Sequence, residues 1–267
     1  MEGGIILVVI GLAVAAAVVW NRRMHQRRKQ DIRELAMSYG WHWVERNDNL
    51  TTRWSGPPFR DVGRDMKARD VVSGEYRGRP FTAFQYSYTM GPPPGPALDE
   101  PQSHPGSARY TGNELRGGGG HAQAGRFGKH SVARLGRGRS TSTFHHRVFV
   151  IELPLSLPPI SLGPEGLLGG RLARAFGFDR VETGDSFFDN QYKVVCPDPD
   201  FARSLLHPEM VRLLARSGTW SWRIEGDVML SYSRGYMRAT LVQRQLDAMC
   251  DVLDLIPGDV WHTYGVP

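Results

Sequence analysis

The stretch FHHRVFVIEL, residues 144–153, carries the strongest strand signal in the chain. Valines alternate with Phe149 and Ile151, so both faces of an extended strand would carry large apolar side chains. A nearly continuous apolar run of this kind is typical of a strand that is buried on both sides. We therefore predict a central strand here, ended by the prolines that begin at Pro154.

The part of the chain before this strand predicts a helix, a short strand and a hairpin. Apolar residues recur at helical spacing over 26–39, with Gly40 as the stop. Residues 41–44 look strand-like, and the polar stretch 47–70 is predicted to be loop. A hairpin is expected from 71–76 and 80–89, because residues alternate in the second segment and an Arg-Gly turn separates the two.

The part after the strand predicts a similar mixture of elements. A weak helix pattern covers 165–176, and residues 187–196 are predicted to form a strand. Asp198 followed by a proline is a favourable helix start. A second hairpin is expected around Gly226-Asp227, and a final amphipathic helix begins near Met237.

Helices and hairpins in mixed order, without regular strand–helix–strand alternation, favour an α+β fold. We expect a first part of the domain over 30–90 and a second over 144–265, as one domain or two. A pseudo-duplication, in which 30–90 and 180–255 each supply a helix and a hairpin, stays open. The intervening 91–143 is rich in Gly, Pro and Arg and predicts a disordered linker or insertion.

The N-terminus predicts a transmembrane helix over the uncharged run 4–20. The basic segment 21–29 follows it, and the positive-inside rule places that flank in the cytoplasm with the short N-terminus outside. The sequence therefore predicts a single-pass cell-membrane protein with a cytoplasmic α+β domain. The predicted membrane flank consists of Trp20, Arg22, Arg23, Arg27, Arg28 and Lys29.

The formal net charge of +6 is unevenly distributed. The basic segment and the region 91–143 carry more positive charge than this total, so the rest of the chain is slightly acidic. A basic segment beside a membrane suits anionic lipid headgroups better than a duplex-binding face, and nucleic acid is not expected as a partner.

Motifs that would assign a reaction are missing from the sequence. His145-His146 lies at the start of a strand, so the two rings point to opposite faces and cannot share a metal. The run 117–120 is glycine-rich without the strand, helix and Lys-Ser/Thr that a phosphate loop needs. Three further histidines fall in the linker: His104, His121 and His130. We predict no catalytic, cofactor or metal site.

The acidic residues and the cysteines also give no indication of a metal site or of a reactive thiol. Asp179, Glu182, Asp185 and Asp189 lack the spacing of a calcium loop and are expected to be solvated carboxylates; a hard-cation site is the alternative. The two cysteines are expected to be free, buried thiols. They are Cys196 and Cys250.

Three stretches resemble a known group of proteins: PLSLPPISLGPEG (154–166), FFDNQYKVVCPDPDFARSLLHPEM (187–210) and LIPGDVWHTYG (255–265). They are similar to uncharacterised actinobacterial single-pass membrane proteins. The central stretch also resembles the bacterial domain of unknown function numbered 3137. The residues that carry this resemblance are Phe188, Asp198, Ala202, Leu205, Leu206 and Pro208. The resemblance implies one N-terminal anchor and a cytosolic α+β domain, and assigns no catalytic residue.

The sequence therefore predicts a non-catalytic interaction domain that binds a protein partner or a membrane surface. A membrane-associated hydrolase and a module that binds a lipid or small ligand are the alternatives.

Overall fold

The computed structural model describes residues 2–59, 63–91, 141–164, 180–218 and 220–267. One compact unit holds Met1–Met90 together with Thr143–Pro267, and Gly91–Ser142 forms a second unit. The two predicted parts, 30–90 and 144–265, thus fall in one unit. Most of the predicted linker 91–143 lies outside the described residues, as does the weak helix pattern over 165–176.

The elements alternate without a repeating unit. The described helices are α1 (Glu2–Ser38), α2 (Ser186–Gln191), α3 (Pro199–Leu205), α4 (Pro208–Arg216), α5 (Ala239–Asp254) and α6 (Gly258–Tyr264). The described strands are β1 (His42–Arg46), β2 (Arg64–Tyr76), β3 (Arg79–Met90), β4 (Ser142–Pro164), β5 (Arg180–Val181), β6 (Tyr192–Val195) and β7 (Ser221–Arg234). A short 3-10 helix covers Asp48–Thr51.

β4 is the central strand of a seven-stranded, mostly antiparallel sheet. The strand order is β1-β2-β3-β4-β6-β5, and β7 also pairs with β4. The 23 residues of β4 exceed its predicted length, because the strand continues through Pro154 to Pro164. Its pairing with β7 shifts register between Glu152 and Leu157 and again between Leu157 and Ile160. Pro154, Pro158 and Pro159 lie in these irregular stretches, where a missing N–H interrupts no regular ladder.

β7 is one strand, so the predicted hairpin around Gly226-Asp227 is wrong. Gly226 has φ +63° and pairs with Leu157 at a register shift of β4. The extra residues of these shifts lie in β4, and the left-handed backbone at Gly226 breaks the alternation along β7. Ile224 and Met229 therefore reach the same core despite their odd spacing. Without a second hairpin, the proposed pseudo-duplication of 30–90 and 180–255 does not hold.

Each face of the sheet has its own hydrophobic core. On one face, Phe81, Phe149 and Trp222 pack with buried residues of α1 and α3 to α6. On the other face, Phe84 and Tyr86 pack with residues of the segment between β1 and β2. This arrangement confirms that the stretch 144–153 is buried on both sides.

The fold-class prediction is wrong about the N-terminal helix. α1 is a single helix of 37 residues that continues through the basic segment and packs into the domain by Ile32, which is 1% exposed, and by Ala36. Within the residues that the structure describes, no helix combines the length and the apolar character needed to cross a membrane. The predicted transmembrane helix 4–20, the single-pass topology and the cell-membrane location are therefore corrected.

A smaller correction concerns residues 187–196, which were predicted to form one strand. The segment begins as helix α2, because the Asp185 carboxylate accepts hydrogen bonds from the N–H groups of Phe187 and Phe188. Only Tyr192–Val195 is strand.

Candidate functional site

A polar groove lies where the helix-covered face of the sheet meets α1. Along β3, Phe81 and Ala83 belong to the core on this face, and the same row of side chains then becomes polar at Gln85, Ser87 and Thr89. The groove has a volume of about 400 Å³. We call it the α1 groove; α1 forms one wall and the polar ends of β2, β3 and β4 form the floor.

The α1 wall is fixed to the sheet by charged and aromatic contacts. Lys29 Nζ lies 2.7 Å from Glu45 Oε1 of β1. The Arg28 guanidinium carbon lies 4.2 Å from the centre of the Tyr236 ring, whose centre is 4.4 Å from that of His145. Such cation–aromatic contacts add about 0.5–1 kcal/mol at exposed sites. These contacts hold α1 against the groove.

Two aspartates of β2 line the groove at irregularities of the strand. Asp65 has φ +52° and Asp70 has φ +49°, and each lies at a register shift between β2 and β3. Aspartate tolerates this left-handed backbone better than most residues, and bulges of this kind re-aim side chains. Between them, Lys67 and Arg69 also line the groove. Among the described residues, none of these four side chains forms an ion pair.

Gln85 holds the loop that follows β7 in place at the back of the groove. Its Nε2 donates to the carbonyl oxygens of His146 at 2.9 Å and Gly235 at 3.2 Å, and its Oε1 accepts from the Met237 N–H at 2.5 Å. Because Gln85 is only 7% exposed, these bonds are shielded from water. The side chain thereby fixes the position of Tyr236, which lies between two of the backbone groups that it binds.

Three ionisable groups of the groove, His25, His145 and Asp70, have pKa values shifted toward their neutral forms. Burial, followed by the nearby Arg28, lowers the pKa of His25. Burial, followed by His25 and Arg28, lowers the pKa of His145. Burial also raises the pKa of the Asp70 carboxyl, against the opposing effect of Lys29. Neither histidine is hydrogen-bonded to a hydroxyl or thiol within the described part of the chain, so no nucleophile–base pair is formed there.

The predicted flank residues fall into two groups in the structure. Trp20 is 70% exposed, and Arg22, Arg23 and Arg27 are exposed as well. Arg28 and Lys29 are half-buried and line the α1 groove. The structure thus brings two of the five predicted cations together with residues of the sheet.

The other sequence candidates have structural roles. His146 is buried and stacks on Tyr88, while His145 faces the α1 groove, which confirms that the two rings occupy opposite faces. Asp185 caps α2, and Asp189 accepts hydrogen bonds from Thr183 and Gly184. These two carboxylates bind backbone groups and are not simply solvated.

The cysteines Cys196 and Cys250 are free and buried, as predicted. Among the described residues, no group of three or more metal-ligating side chains is present. Asp179 and the linker histidines His104, His121 and His130 lie outside the described residues.

The β2 residues that line the α1 groove were not predicted from the sequence, because 47–70 was predicted to be loop. β2 already begins at Arg64. Met66 and Ala68 alternate there with Asp65, Lys67 and Arg69, which is the period of a half-buried strand. This alternation could have identified both the strand and the polar row that lines the α1 groove.

Comparison with known proteins relates the chain to a solved structure. No protein-family model and no curated protein matches it, so the resemblance to the domain of unknown function stays a prediction. The fold is similar to the crystal structure of the mycobacterial trehalose monomycolate transport factor A, TtfA, with a TM-score of 0.53 and 15% sequence identity. The likeness covers 90% of this chain and 98% of that one. At this identity the comparison establishes similarity of fold.

Proposed function

We propose that this chain is a non-catalytic binding protein and that the α1 groove recognises a hydroxyl-rich ligand such as a saccharide. The observation that carries the proposal is the mixture of hydrogen-bonding groups along the groove. Asp65 and Asp70 offer acceptors, Lys67 and Arg69 offer donors, and Ser87 offers both. Each hydroxyl of a sugar both donates and accepts, so adjacent groups of both kinds suit such a ligand.

The availability of these groups strengthens the proposal. The wall residue Lys29 is engaged by Glu45, but the charged groups of β2 form no ion pair with described residues. Their Cα positions are set by the pairing of β2 with β1 and β3, and their polar groups stay available to a ligand.

The similarity of fold to TtfA agrees with this choice of ligand. The name of that protein refers to trehalose monomycolate, an ester of a disaccharide. We propose that this chain, too, is a transport factor, and that it binds the sugar part of such a molecule without transforming it. The expected protein partner and the expected contact with anionic headgroups stay predictions from the sequence.

A hydrolase is the alternative, and it has less support. His145 and His25 are the candidate bases of the α1 groove, but each meets the Tyr236 ring instead of a hydroxyl or thiol nucleophile. General-base catalysis requires the base within hydrogen-bond reach of the proton that it removes. Rapid turnover of a sugar ester that is lost in His145→Gln would favour the hydrolase over the proposal.

The test is a titration of the full chain with trehalose, followed by isothermal calorimetry or chemical shifts. We expect saturable binding that weakens by roughly tenfold or more in Asp70→Asn and in Arg69→Gln, because a hydrogen bond to a charged group contributes about 1.5–3 kcal/mol. Asp259→Asn on α6 is the matched control and should bind as the parent does. Absence of saturable binding, or equal affinity in all variants, would refute the proposal.

A further inference from the structure

A second cavity, on the same face of the sheet, is built from β4, α5 and the connection between α4 and β7. It has a volume of about 200 Å³. Arg147 and Phe149 of β4, Leu241 and Arg244 of α5, and Trp220 contribute to its wall. We call it the arginine cavity. The α1 groove is lined by other residues, so the two sites are separate.

The arginine cavity carries positive charge without a balancing carboxylate. Its lining includes two guanidinium groups and no Asp or Glu. Arg147 is half-buried; its Nε donates to Ser233 Oγ at 2.9 Å, and its Nη2 donates to the Arg234 carbonyl at 3.3 Å. Within the described part of the chain, neither Arg147 nor Arg244 forms an ion pair. The two hydrogen bonds of Arg147 both go to neutral oxygens, so its charge has no counter-ion among the described residues.

Electrostatics around Arg147 point the same way. Burial lowers its pKa, and the nearby positive charge of Arg238 lowers it further. An anion bound beside Arg147 would relieve both effects, since an opposite charge favours the ionised form.

An unsatisfied hydrogen-bond donor lies in the same wall. The indole Nε1 of Trp220 is buried and has no hydrogen-bond partner among the described residues. This atom is closed off from solvent, so the part of Trp220 that lines the cavity is the rest of its ring. Gln245 is also engaged, because its amide nitrogen donates to Ser231 Oγ at 3.1 Å.

We infer that the arginine cavity binds a small organic anion. The oxyanion is held by the guanidinium groups of Arg147 and Arg244, and the carbon skeleton packs against Phe149, Leu241 and Trp220. Guanidinium groups match the geometry of phosphate and carboxylate oxygens, and the aromatic and aliphatic wall favours an apolar remainder over a bare ion. The α1 groove, by contrast, offers charges of both signs.

The test compares phenyl phosphate with inorganic phosphate by isothermal calorimetry on the full chain at low ionic strength. We expect phenyl phosphate to bind more tightly than inorganic phosphate, and its affinity to fall roughly 10- to 100-fold in Arg244→Gln, because charged hydrogen bonds contribute about 1.5–3 kcal/mol. Arg244 is exposed, so its replacement should leave the fold intact. Arg147→Gln is the second variant, with thermal unfolding measured alongside to show that it is folded.

Arg212→Gln, an exposed arginine of α4 that pairs with Glu209, is the matched control and should bind as the parent does. Equal binding of both phosphates, even if it is lost in Arg244→Gln, would overturn the inferred organic ligand, because the apolar wall would then contribute nothing to binding. Failure of both to bind, or binding unchanged in Arg244→Gln, would overturn the inference. Trehalose binding is measured on the same variants, so failure of this site is distinguishable from failure of the α1 groove.

Discussion

Replacement of Gln85 by leucine should destabilise the domain more than any exposed amide replacement. Three shorter hydrogen bonds are lost, to the carbonyls of His146 and Gly235 and from the Met237 N–H, at a site that is 7% exposed. A longer one to the Tyr86 carbonyl, at 3.4 Å, is lost with them. Each contributes about 0.5–1.5 kcal/mol net, and a backbone group left buried without a partner costs about 1–3 kcal/mol. We expect the free energy of unfolding to fall by about 3 kcal/mol.

Urea denaturation followed by circular dichroism measures this change, with the free energy extrapolated to water. Gln243→Leu on α5 is the matched control: its amide donates to Tyr39 in an exposed setting, so a loss of about 0.5 kcal/mol or less is expected. A loss below about 1 kcal/mol for Gln85→Leu would contradict the reasoning, since it would mean that water replaces the three bonds.

The α1 groove should also be affected by this replacement. Gln85 fixes the backbone on both sides of Tyr236, and the Tyr236 ring in turn contacts Arg28 and His145. We therefore expect Gln85→Leu to weaken binding in the α1 groove even under conditions in which the domain stays folded.

Three further predictions concern pH, thiol reactivity and the packing of α1. The pKa of His145 is lowered in the folded state, so the unfolded state binds more protons and the free energy of unfolding should fall as the pH drops through about 6.5. Urea titrations between pH 7.5 and 5.5 should show a smaller fall for His145→Gln, and an equal fall would contradict this. Burial raises the pKa of Cys196 to about 11, so both it and Cys250 should react slowly with a thiol reagent at pH 8 until denaturant is added, and rapid native labelling would refute their burial. Ile32→Ala should cost about 2–5 kcal/mol by denaturation because Ile32 is fully buried, whereas the exposed Met37→Ala should cost little; equal effects would mean that α1 is not packed on the domain.

Local patterns in the sequence predicted some elements well. The apolar run 144–153 identified β4, and the alternation after the Arg-Gly turn identified β3, because both signals depend only on neighbouring residues. The prolines after Leu153 led to a wrong predicted end of β4. A proline ends a strand only where a carbonyl of the neighbouring strand needs the N–H that proline lacks, and this cannot be known before the pairing is known. The sequence around Gly226 also predicted the wrong structure for the same reason: a glycine followed by an aspartate resembles a turn, but the pairing with β4 makes it an irregularity within one strand.

The α1 groove could not be predicted from the sequence, because it assembles residues that are distant along the chain. Lys29, Asp70, Gln85 and Tyr236 come from four separate elements or loops. Their proximity depends on how α1 crosses the sheet and on two bulges in β2, and neither leaves a pattern within a single stretch. The basic cluster was visible, but its interpretation as a membrane flank followed from its place after the uncharged run 4–20.

The central position of β4 determines how the chain can fold during synthesis. The first ninety residues can form the meander β1-β2-β3, but β3 has no partner on its second side until β4 is made, and β4 in turn waits for β7. Until then the outer edge of β3 has no strand to pair with. Exposed apolar surface and an unpaired strand edge favour aggregation of incomplete chains. Chains truncated before β7 should therefore accumulate as insoluble protein, whereas the full chain should not.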